Sequence, residues 1–301
     1  MLDAIIVGGG PAGLSAALAL GRCRRTVLVC DKGEPRNAAS LAMHGYLTRD
    51  GIAPSEFLRL GREEILRYPT VKFLGCEVVS VERNEQRFIV QTNTGEAFSA
   101  RILLLATGLV DDLPPIPGVE KYYGKSVHPC PYCDGWEHRD QAIAVCGKGQ
   151  EGVDLALKMR RWSSQVVFCP NQTEPEEFPL NPAQEEQLCR AEIPIRRGKV
   201  VGFEGQAPEM SALVFADGSR LPCHALFFPP SQRQRSELAL KLGCHATESQ
   251  QIECQDCQES NIPGVFVIGN AAEGQQLVIM AAAAGTRAGF AIDEALHFAD
   301  L

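Results

Sequence analysis

No stretch of this chain approaches the roughly 18 consecutive apolar residues that a membrane-spanning helix needs. It also lacks any long basic run of the kind that grips nucleic acid or an anionic lipid surface. Twenty-nine lysines and arginines stand against 37 aspartates and glutamates, a net charge of −8. The surface is therefore mildly acidic, and neither nucleic acid nor membrane is expected as a partner. Met1–Val7 has no basic flank and no small-residue cleavage site, so it is expected to be a strand rather than a signal peptide, and the protein to be cytoplasmic. Cysteine, by contrast, is plentiful: twelve in 301 residues. In a chain expected to be cytoplasmic that number points to thiol chemistry or metal more than to a disulfide scaffold. Cys23, Cys30, Cys76, Cys146 and Cys169 lie in apolar helix or strand patterns and are expected to be buried small hydrophobes. The length suits about two domains.

Two glycine-rich turns organise the chain. Gly8-Gly9-Gly10-Pro11-Ala12-Gly13 follows the apolar strand Ala4–Val7 and opens a helix over Leu14–Gly21. The next strand, Thr26–Cys30, ends at Asp31, about twenty residues past Gly10, where an acid can hold a ribose hydroxyl. Gly8 makes the turn, Gly10 admits a pyrophosphate, Gly13 lets helix and strand pack, and the helix N-terminus supplies N–H donors. The polar connection Asp31–Asn37 and His44–Gly51 is unsuited to a core, and a long ordered loop is usually functional; it is expected along the cofactor. Short runs at Glu77–Val81, Phe88–Gln91 and Phe98 predict an antiparallel meander, followed by a buried strand Ile102–Leu105 ending in Ala106-Thr107-Gly108.

The second turn, Gly147-Lys148-Gly149-Gln150-Glu151-Gly152, follows the strand Ala142–Cys146 and opens a helix over Val153–Trp162. At the end of the following strand, Gln165–Cys169, an acid would suit an unmodified ribose and arginines a 2′-phosphate. The sequence there is Cys169-Pro170-Asn171-Gln172-Thr173-Glu174-Pro175-Glu176-Glu177. Three carboxylates at that point repel a phosphate. Glycine spacing alone leaves open whether this turn holds a dinucleotide.

Just ahead of it stands Cys130-Pro131-Tyr132-Cys133-Asp134-Gly135-Trp136-Glu137. Two thiols at this spacing can close a small disulfide, and a carboxylate directly behind them can move the protons of dithiol chemistry. His128 and His138 flank the run and could assist it, but a lone histidine near a loop is more often solvated, and that is the expectation here. A second pair, Cys254-Gln255-Asp256-Cys257, leaves three readings open: a second redox pair, a metal site shared with Cys130 and Cys133, or exposed incidental thiols. Because Asp134-Gly135-Trp136 accompanies the first pair, no metal is expected.

The order of first glycine turn, Ala106-Thr107-Gly108, Cys130–Cys133 with Asp134-Gly135, second glycine turn and Ile262-Pro263-Gly264-Val265-Phe266-Val267-Ile268-Gly269-Asn270 resembles the low-molecular-weight thioredoxin reductases over essentially the whole chain. That resemblance implies an α/β chain of two Rossmann-like three-layer domains. Residues 1–114 and 229–301 would form a discontinuous FAD domain, residues 115–228 an inserted NAD(P)-like domain bearing the disulfide, and the assembly would be a homodimer. It also implies that Gly8, Gly10, Pro11, Ala12, Gly13 and Asp31 cradle the FAD pyrophosphate and ribose. Arg36, Asn37 and Val78, the Ala106-Thr107-Gly108 turn, and Asn270, Gln276 and Leu277 would complete the FAD site. Cys133 would face the flavin, Cys130 would exchange with a thioredoxin-like protein or a small dithiol or disulfide, and Asp134 would be the acid/base.

Two departures matter. Asn270 stands where the family has an aspartate. The basic motif for the 2′-phosphate is missing, and Phe227-Phe228-Pro229-Pro230-Ser231-Gln232 replaces a glycine-containing turn, which argues against NADPH as donor. The alternatives are a flavin-dependent dithiol oxidase running the opposite way to oxygen or another acceptor, with a second dinucleotide or flavin at the second turn, and a flavin-bearing redox sensor without turnover. Small residues in the helix Val278–Leu296 suit close packing beneath a cofactor or an ordinary helix–helix contact.

Overall fold

The computed structural model describes residues 1–84, 87–170, 180–255 and 258–301. Strand β1 (Leu2–Val7) leads through helix α1 (Pro11–Arg22) to β2 (Val27–Cys30), α2 (Pro54–Ile65) and β3 (Val71–Leu74). The meander β4 (Val78–Asn84), β5 (Arg87–Thr92), β6 (Ala97–Leu105) follows, then β7 (Leu109–Asp112), β8 (Val127–His128), α3 (Pro131–Asp134), β9 (Ile143–Cys146), α4 (Gly149–Met159) and β10 (Val166–Cys169). Next come α5 (Pro182–Arg190), β11 (Val200–Glu204), β12 (Ala212–Phe215), β13 (Arg220–Pro222) and β14 (Ala225–Phe227). The chain ends with β15 (Ser231–Gln234), α6 (Leu238–Lys241), β16 (Val265–Val267) and α7 (Val278–Ala299).

The chain divides into two compact units, one of residues 1–38, 45–111 and 232–301 and one of residues 39–44 and 112–231. In the first, β3, β2, β1, β6 and β16 form a parallel run, and β5 and β4 extend the sheet antiparallel. The meander is present as expected. The runs at Phe98 and Ile102–Leu105 belong to a single strand, however: the first half of β6 pairs with β5 and its last residues, Leu103–Leu105, with β16. Successive residues of the central strands feed opposite faces, as a pleated strand requires. Ala4, Ile6, Val29 and Leu104 pack beneath α1 and α7. Ile5, Val7, Leu28 and Leu105 pack against Val78, Phe88 and Leu238 on the other side. Both faces are covered, which explains why β1 reads as an unbroken apolar run rather than an alternating one.

The small residues of α7 serve the helix–helix contact. A Cβ at Gly285 would lie 2.1 Å from the Ala12 carbonyl oxygen, and one at Gly289 would lie 2.7 Å from the Ala19 Cβ.

The second unit repeats the scheme with a parallel sheet in the order β10, β9, β14, β8. Ile143, Val145, Phe168 and Phe227 meet Val153, Ala156 and Met159 of α4 on one face. Ala144, Cys146 and Leu226 meet Leu213 and Phe215 of the antiparallel sheet β11–β13 on the other. Helix α4 starts at Gly149, earlier than its apolar pattern suggests, because the glycine turn feeds directly into its first turn. Each unit is thus a three-layer Rossmann-like α/β body. Among the described residues no helix is long and apolar enough to cross a membrane.

Candidate active site and cofactor cradle

In the first unit the glycine turn is shaped by close backbone approach. Gly8 has φ +110°, and a Cβ there would sit 2.3 Å from the Ala106 carbonyl oxygen; a Cβ at Gly13 would sit 1.9 Å from the Gly8 oxygen. Gly10 faces open space, with nothing within 4 Å of where its Cβ would be. It is the N-cap of α1, has no side-chain cap, and is followed by Pro11 in the first turn, so the helix end offers unpaired N–H groups to an anion. Asp31 lies beside this opening. One carboxylate oxygen accepts from the Gly9 N–H at 3.0 Å and the other from Arg62 at 3.1 Å. An open anion cradle next to a carboxylate oriented on both oxygens fits a dinucleotide's pyrophosphate and ribose.

The remaining residues expected around FAD also belong to this unit. Ala106 and Thr107 follow β6, and the Gly108 carbonyl accepts from the Arg235 N–H at 3.1 Å. Gly269 has φ +65°, and a Cβ there would lie 2.9 Å from that of Ala12, so the Gly269–Ala271 turn carrying Asn270 comes close to the start of α1. Leu277 is the N-cap of α7, Asn37 lies half-buried in a turn, and Val78 is a buried residue at the start of β4. Arg36 and Gln276 sit in a network that local sequence patterns do not reveal. Arg36 grips Asp111 through two N–H groups at 2.7 and 2.6 Å and donates a third to Gln276 at 2.6 Å. Gln232 donates to Asp111 at 2.8 Å and exchanges amide hydrogen bonds with Gln276 at 2.9 and 2.7 Å.

The redox pair lies in the second unit. Cys130 and Cys133 are bonded to each other with their Cα atoms 5.3 Å apart. Pro131 starts the single turn of α3, and the Cys133 N–H donates to the Cys130 sulfur at 3.1 Å. Gly135 has to be glycine: a Cβ would lie 2.4 Å from the Pro131 oxygen and 2.9 Å from the Trp162 ring. Tyr132 and Trp136 are 60% and 63% exposed, Tyr132 resting edge-on against Trp162 and Trp136 covered by the Arg139 guanidinium at 4.3 Å.

The expectation that His128 and His138 are solvated is corrected here: His128 is buried and His138 half-buried. His128 is 3% exposed at the end of β8, its Nε2 is 2.9 Å from Nε2 of His138, and its Nδ1 is 3.3 Å from an Asp134 oxygen. A buried position for a histidine two residues before the cysteine pair follows from the strand, because β8 pairs with β14 at Phe227.

At the second glycine turn Gly147 and Gly152 pack on each other, so a Cβ on either would come within 2.7 Å of the other's backbone, while Gly149 (φ +55°) faces open space. Cys169, at the end of β10, is fully buried. The acidic run 174–177 lies outside the described residues. Cys146 neighbours Cys169 across the parallel strands and lies near Cys223. A hydrogen bond to Cys169 and burial raise the Cys146 thiol well above its usual value, and burial raises that of Cys223 to about 12. These are unreactive core thiols.

Cys254 is not the exposed thiol that one reading of the second pair expects. It is half-buried, donates to the Val267 carbonyl at 3.5 Å, and burial pushes its thiol up to about 11. Its partner in the motif, Cys257, lies outside the described residues. Of the buried-cysteine expectations, Cys30, Cys76, Cys146 and Cys169 are buried, whereas Cys23, capping the end of α1, is only half-buried.

The pyridine nucleotide-disulphide oxidoreductase family matches residues 2–288. A protein of Arthroderma benhamiae named "probable thioredoxin reductase" is 37% identical over 178 residues, 57% of this chain and 44% of that one. The chain therefore spans less than half the length of that relative. The thioredoxin reductase tcpT of Claviceps purpurea is 32% identical over 280 residues, covering 90% of this chain and 86% of its own. The crystal structure of an oxidoreductase from Agrobacterium tumefaciens superposes with a TM-score of 0.91 at 32% identity, over 99% of both chains.

Proposed function

The chain belongs to the pyridine nucleotide-disulphide oxidoreductases, and we propose that it is an FAD-dependent, thioredoxin-reductase-like enzyme that exchanges electrons with a thiol partner through Cys130 and Cys133. The observation that carries this reading is the closed Cys130–Cys133 disulfide with Asp134 directly behind it, in a chain whose other unit offers a cradle fitted to a dinucleotide.

Gly8, Gly10, Pro11, Ala12 and Gly13 would hold the pyrophosphate and Asp31 the ribose. Ala106, Thr107, Gly108, Asn270, Gln276 and Leu277, with Arg36, Asn37 and Val78, would surround the rest of the cofactor. FAD supplies a two-electron carrier when bound. Cys133 is the sulfur assigned to the flavin side and Cys130 the one that bonds to a partner sulfur, while Asp134 takes or gives the accompanying proton. The partner is a thioredoxin-like protein or a small dithiol or disulfide. The exposed rings of Tyr132 and Trp136 beside the disulfide favour one with an apolar surface. Ile279, Met280 and Phe290 lie exposed on α7 and support a homodimer. Free thiols such as the neighbouring Cys30 and Cys76 fit a reducing, cytoplasmic setting.

A second reading reverses the flow: the chain oxidises a dithiol and the electrons leave to oxygen or another acceptor. It is favoured by Glu174, Glu176 and Glu177, which stand where a 2′-phosphate would need arginines, and it leaves the second glycine turn to a different dinucleotide or to none.

Two measurements test these readings. Cys133→Ser should retain FAD and lose flavin–disulfide exchange; exchange at the normal rate would remove Cys133 from the reaction. Anaerobic NADPH should leave the flavin oxidised while dithiothreitol reduces it. Rapid bleaching by micromolar NADPH would restore the forward direction.

A further inference from the structure

The contacts of His128, which is buried, and His138, which is half-buried, fix where the pair's protons lie. Nε2 of His128 faces the Lys125 carbonyl oxygen at 3.0 Å and Nε2 of His138 at 2.9 Å. A carbonyl can only accept, so the proton belongs to His128, and His138 Nε2 is the bare acceptor. His138 then carries its own proton on Nδ1, which points at the Gln141 side-chain oxygen 3.4 Å away.

This leaves the other side of His128 exposed to a conflict. With its proton on Nε2, a neutral His128 presents a lone pair at Nδ1. That atom is buried without a hydrogen-bond partner, and an Asp134 carboxylate oxygen lies 3.3 Å away. Two lone pairs facing each other in a water-poor site repel; one proton between them turns repulsion into a charge-assisted hydrogen bond. The Phe227 ring is centred 5.3 Å from His128 and 6.1 Å from His138 and covers part of the pair. Burial, and then the neighbouring His128, hold the His138 imidazole below its usual range, which favours its neutral, accepting form. The other titratable group acting on the pair is His224, near His138; Glu137 faces His44 at 3.5 Å instead.

We propose that Asp134 and His128 together form the site that holds the proton moved in thiol–disulfide exchange, with His128 acting through Asp134 and His138 fixing the tautomer of His128. This rests on Cys130–Cys133 being the exchanging pair. For an external dithiol, the first thiol gives its proton to the Asp134–His128 site and its sulfur bonds to Cys130. The Cys130–Cys133 bond breaks, and Cys133 leaves as a thiolate with the electron pair. The second thiol then attacks the partner's first sulfur, the mixed disulfide breaks, and Cys130 leaves and takes the second thiol's proton. The partner has lost two electrons and two protons. The electrons rest on Cys130 and Cys133, one proton on Cys130 and one between Asp134 and His128.

The FAD-loaded enzyme tests this in single turnovers with dithiothreitol, quenched with iodoacetamide and scored by mass for alkylated Cys130 and Cys133 across pH 5 to 9. His128→Gln should slow reduction of the pair about tenfold at neutral pH, less than the roughly 10²–10⁴-fold of a directly acting acid–base group because His128 acts through Asp134, and remove one inflection from the pH profile. Combining it with Asp134→Asn should slow the reaction no further than Asp134→Asn alone. A His128→Gln enzyme with the wild-type rate and pH profile would overturn the assignment. Should that variant not fold, nitrogen-15 imidazole spectra of the wild type decide: His138 must carry its proton on Nδ1, and His128 Nδ1 must gain one across the pH range where the rate changes. An Nε2 proton on His138, or an Nδ1 of His128 bare throughout, would refute it. Cys133→Ser separates the two levels. That variant has no Cys130–Cys133 bond to exchange with: if dithiothreitol still reduces its bound flavin at the wild-type rate, the proposed function itself fails; if flavin reduction is lost there but His128→Gln is silent, only the proton site fails.

Discussion

Gly285→Ala sets two opposed effects against each other at the contact between α1 and α7. Alanine is favoured over glycine in a helix interior by about 1 kcal/mol, so an isolated α7 would gain stability. In the folded protein the new methyl would lie 2.1 Å from the Ala12 carbonyl oxygen, 2.9 Å from its carbon and 3.1 Å from the Ala16 nitrogen. Carbon–oxygen contacts settle near 3.3 Å, so the two helices must part by on the order of 1 Å. The obstacle is backbone, which cannot swing aside as a side chain can. Overpacking of this kind costs roughly 1–3 kcal/mol, and it strains a tightly packed seam formed by Ala12, Ala16, Ala288 and Ile292. The clash outweighs the propensity gain by up to about 2 kcal/mol, which lowers Tm by roughly 2–4 °C per kcal/mol in a unit of this size. Ala12 also lies in the first turn of α1, so the FAD-loaded protein should lose more Tm than the apo form, and FAD should dissociate faster. Gly289→Ala is the internal comparison. Its methyl meets the Ala19 Cβ at 2.7 Å and the Ala16 oxygen at 3.2 Å, a milder clash that should lower Tm less. Thermal unfolding of both variants, with and without FAD, decides the matter. A Gly285→Ala protein with unchanged or higher Tm and unchanged FAD release would refute the reasoning.

Asp111→Asn should destabilise the first unit by about 1–3 kcal/mol, because the Asp111 side chain is 2% exposed and binds Arg36 through both oxygens. A shift in denaturant midpoint accompanied by an altered flavin absorption band would show that Gln276 has loosened too, while an unchanged midpoint would contradict the predicted loss. A pH effect follows from His138, whose imidazole is held below its usual value of 6.5 first by burial and then by His128. The unfolded chain then binds a proton that the folded chain resists. This stability is fully present above about pH 6.5 and is lost as pH falls through the lower folded value. His138→Asn should flatten that part of the stability curve of the second unit, and an unaltered slope between pH 7 and 5 would count against it.

Both glycine turns, the strand before each, the acid at Asp31 and the Cys130–Cys133 spacing were legible because each is a short pattern with a local physical cause. A turn needs glycine where backbone crowds backbone, a buried strand is an apolar run, and a small disulfide closes over two intervening residues. The β4–β6 meander was readable from alternation for the same reason, although the apparent break between Phe98 and Ile102 hid a single strand whose two halves pair with different neighbours. Helix α2 was not read from the sequence, although Pro54 opens it and its buried residues Leu58 and Ile65 lie seven apart on one face.

What the chain alone determined is the set of parts: two nucleotide-type turns, a redox pair with its carboxylate, and strands whose periodicity assigns them to α/β layers. Tertiary structure decided which distant residues act together. It joined β16 to β6, turned Gly285 toward Ala12, buried His128 against His138 and Asp134, and linked Arg36, Asp111, Gln232 and Gln276. None of those partnerships has a sequence period or a fixed spacing, because they depend on which faces meet once the sheets are covered and water is excluded.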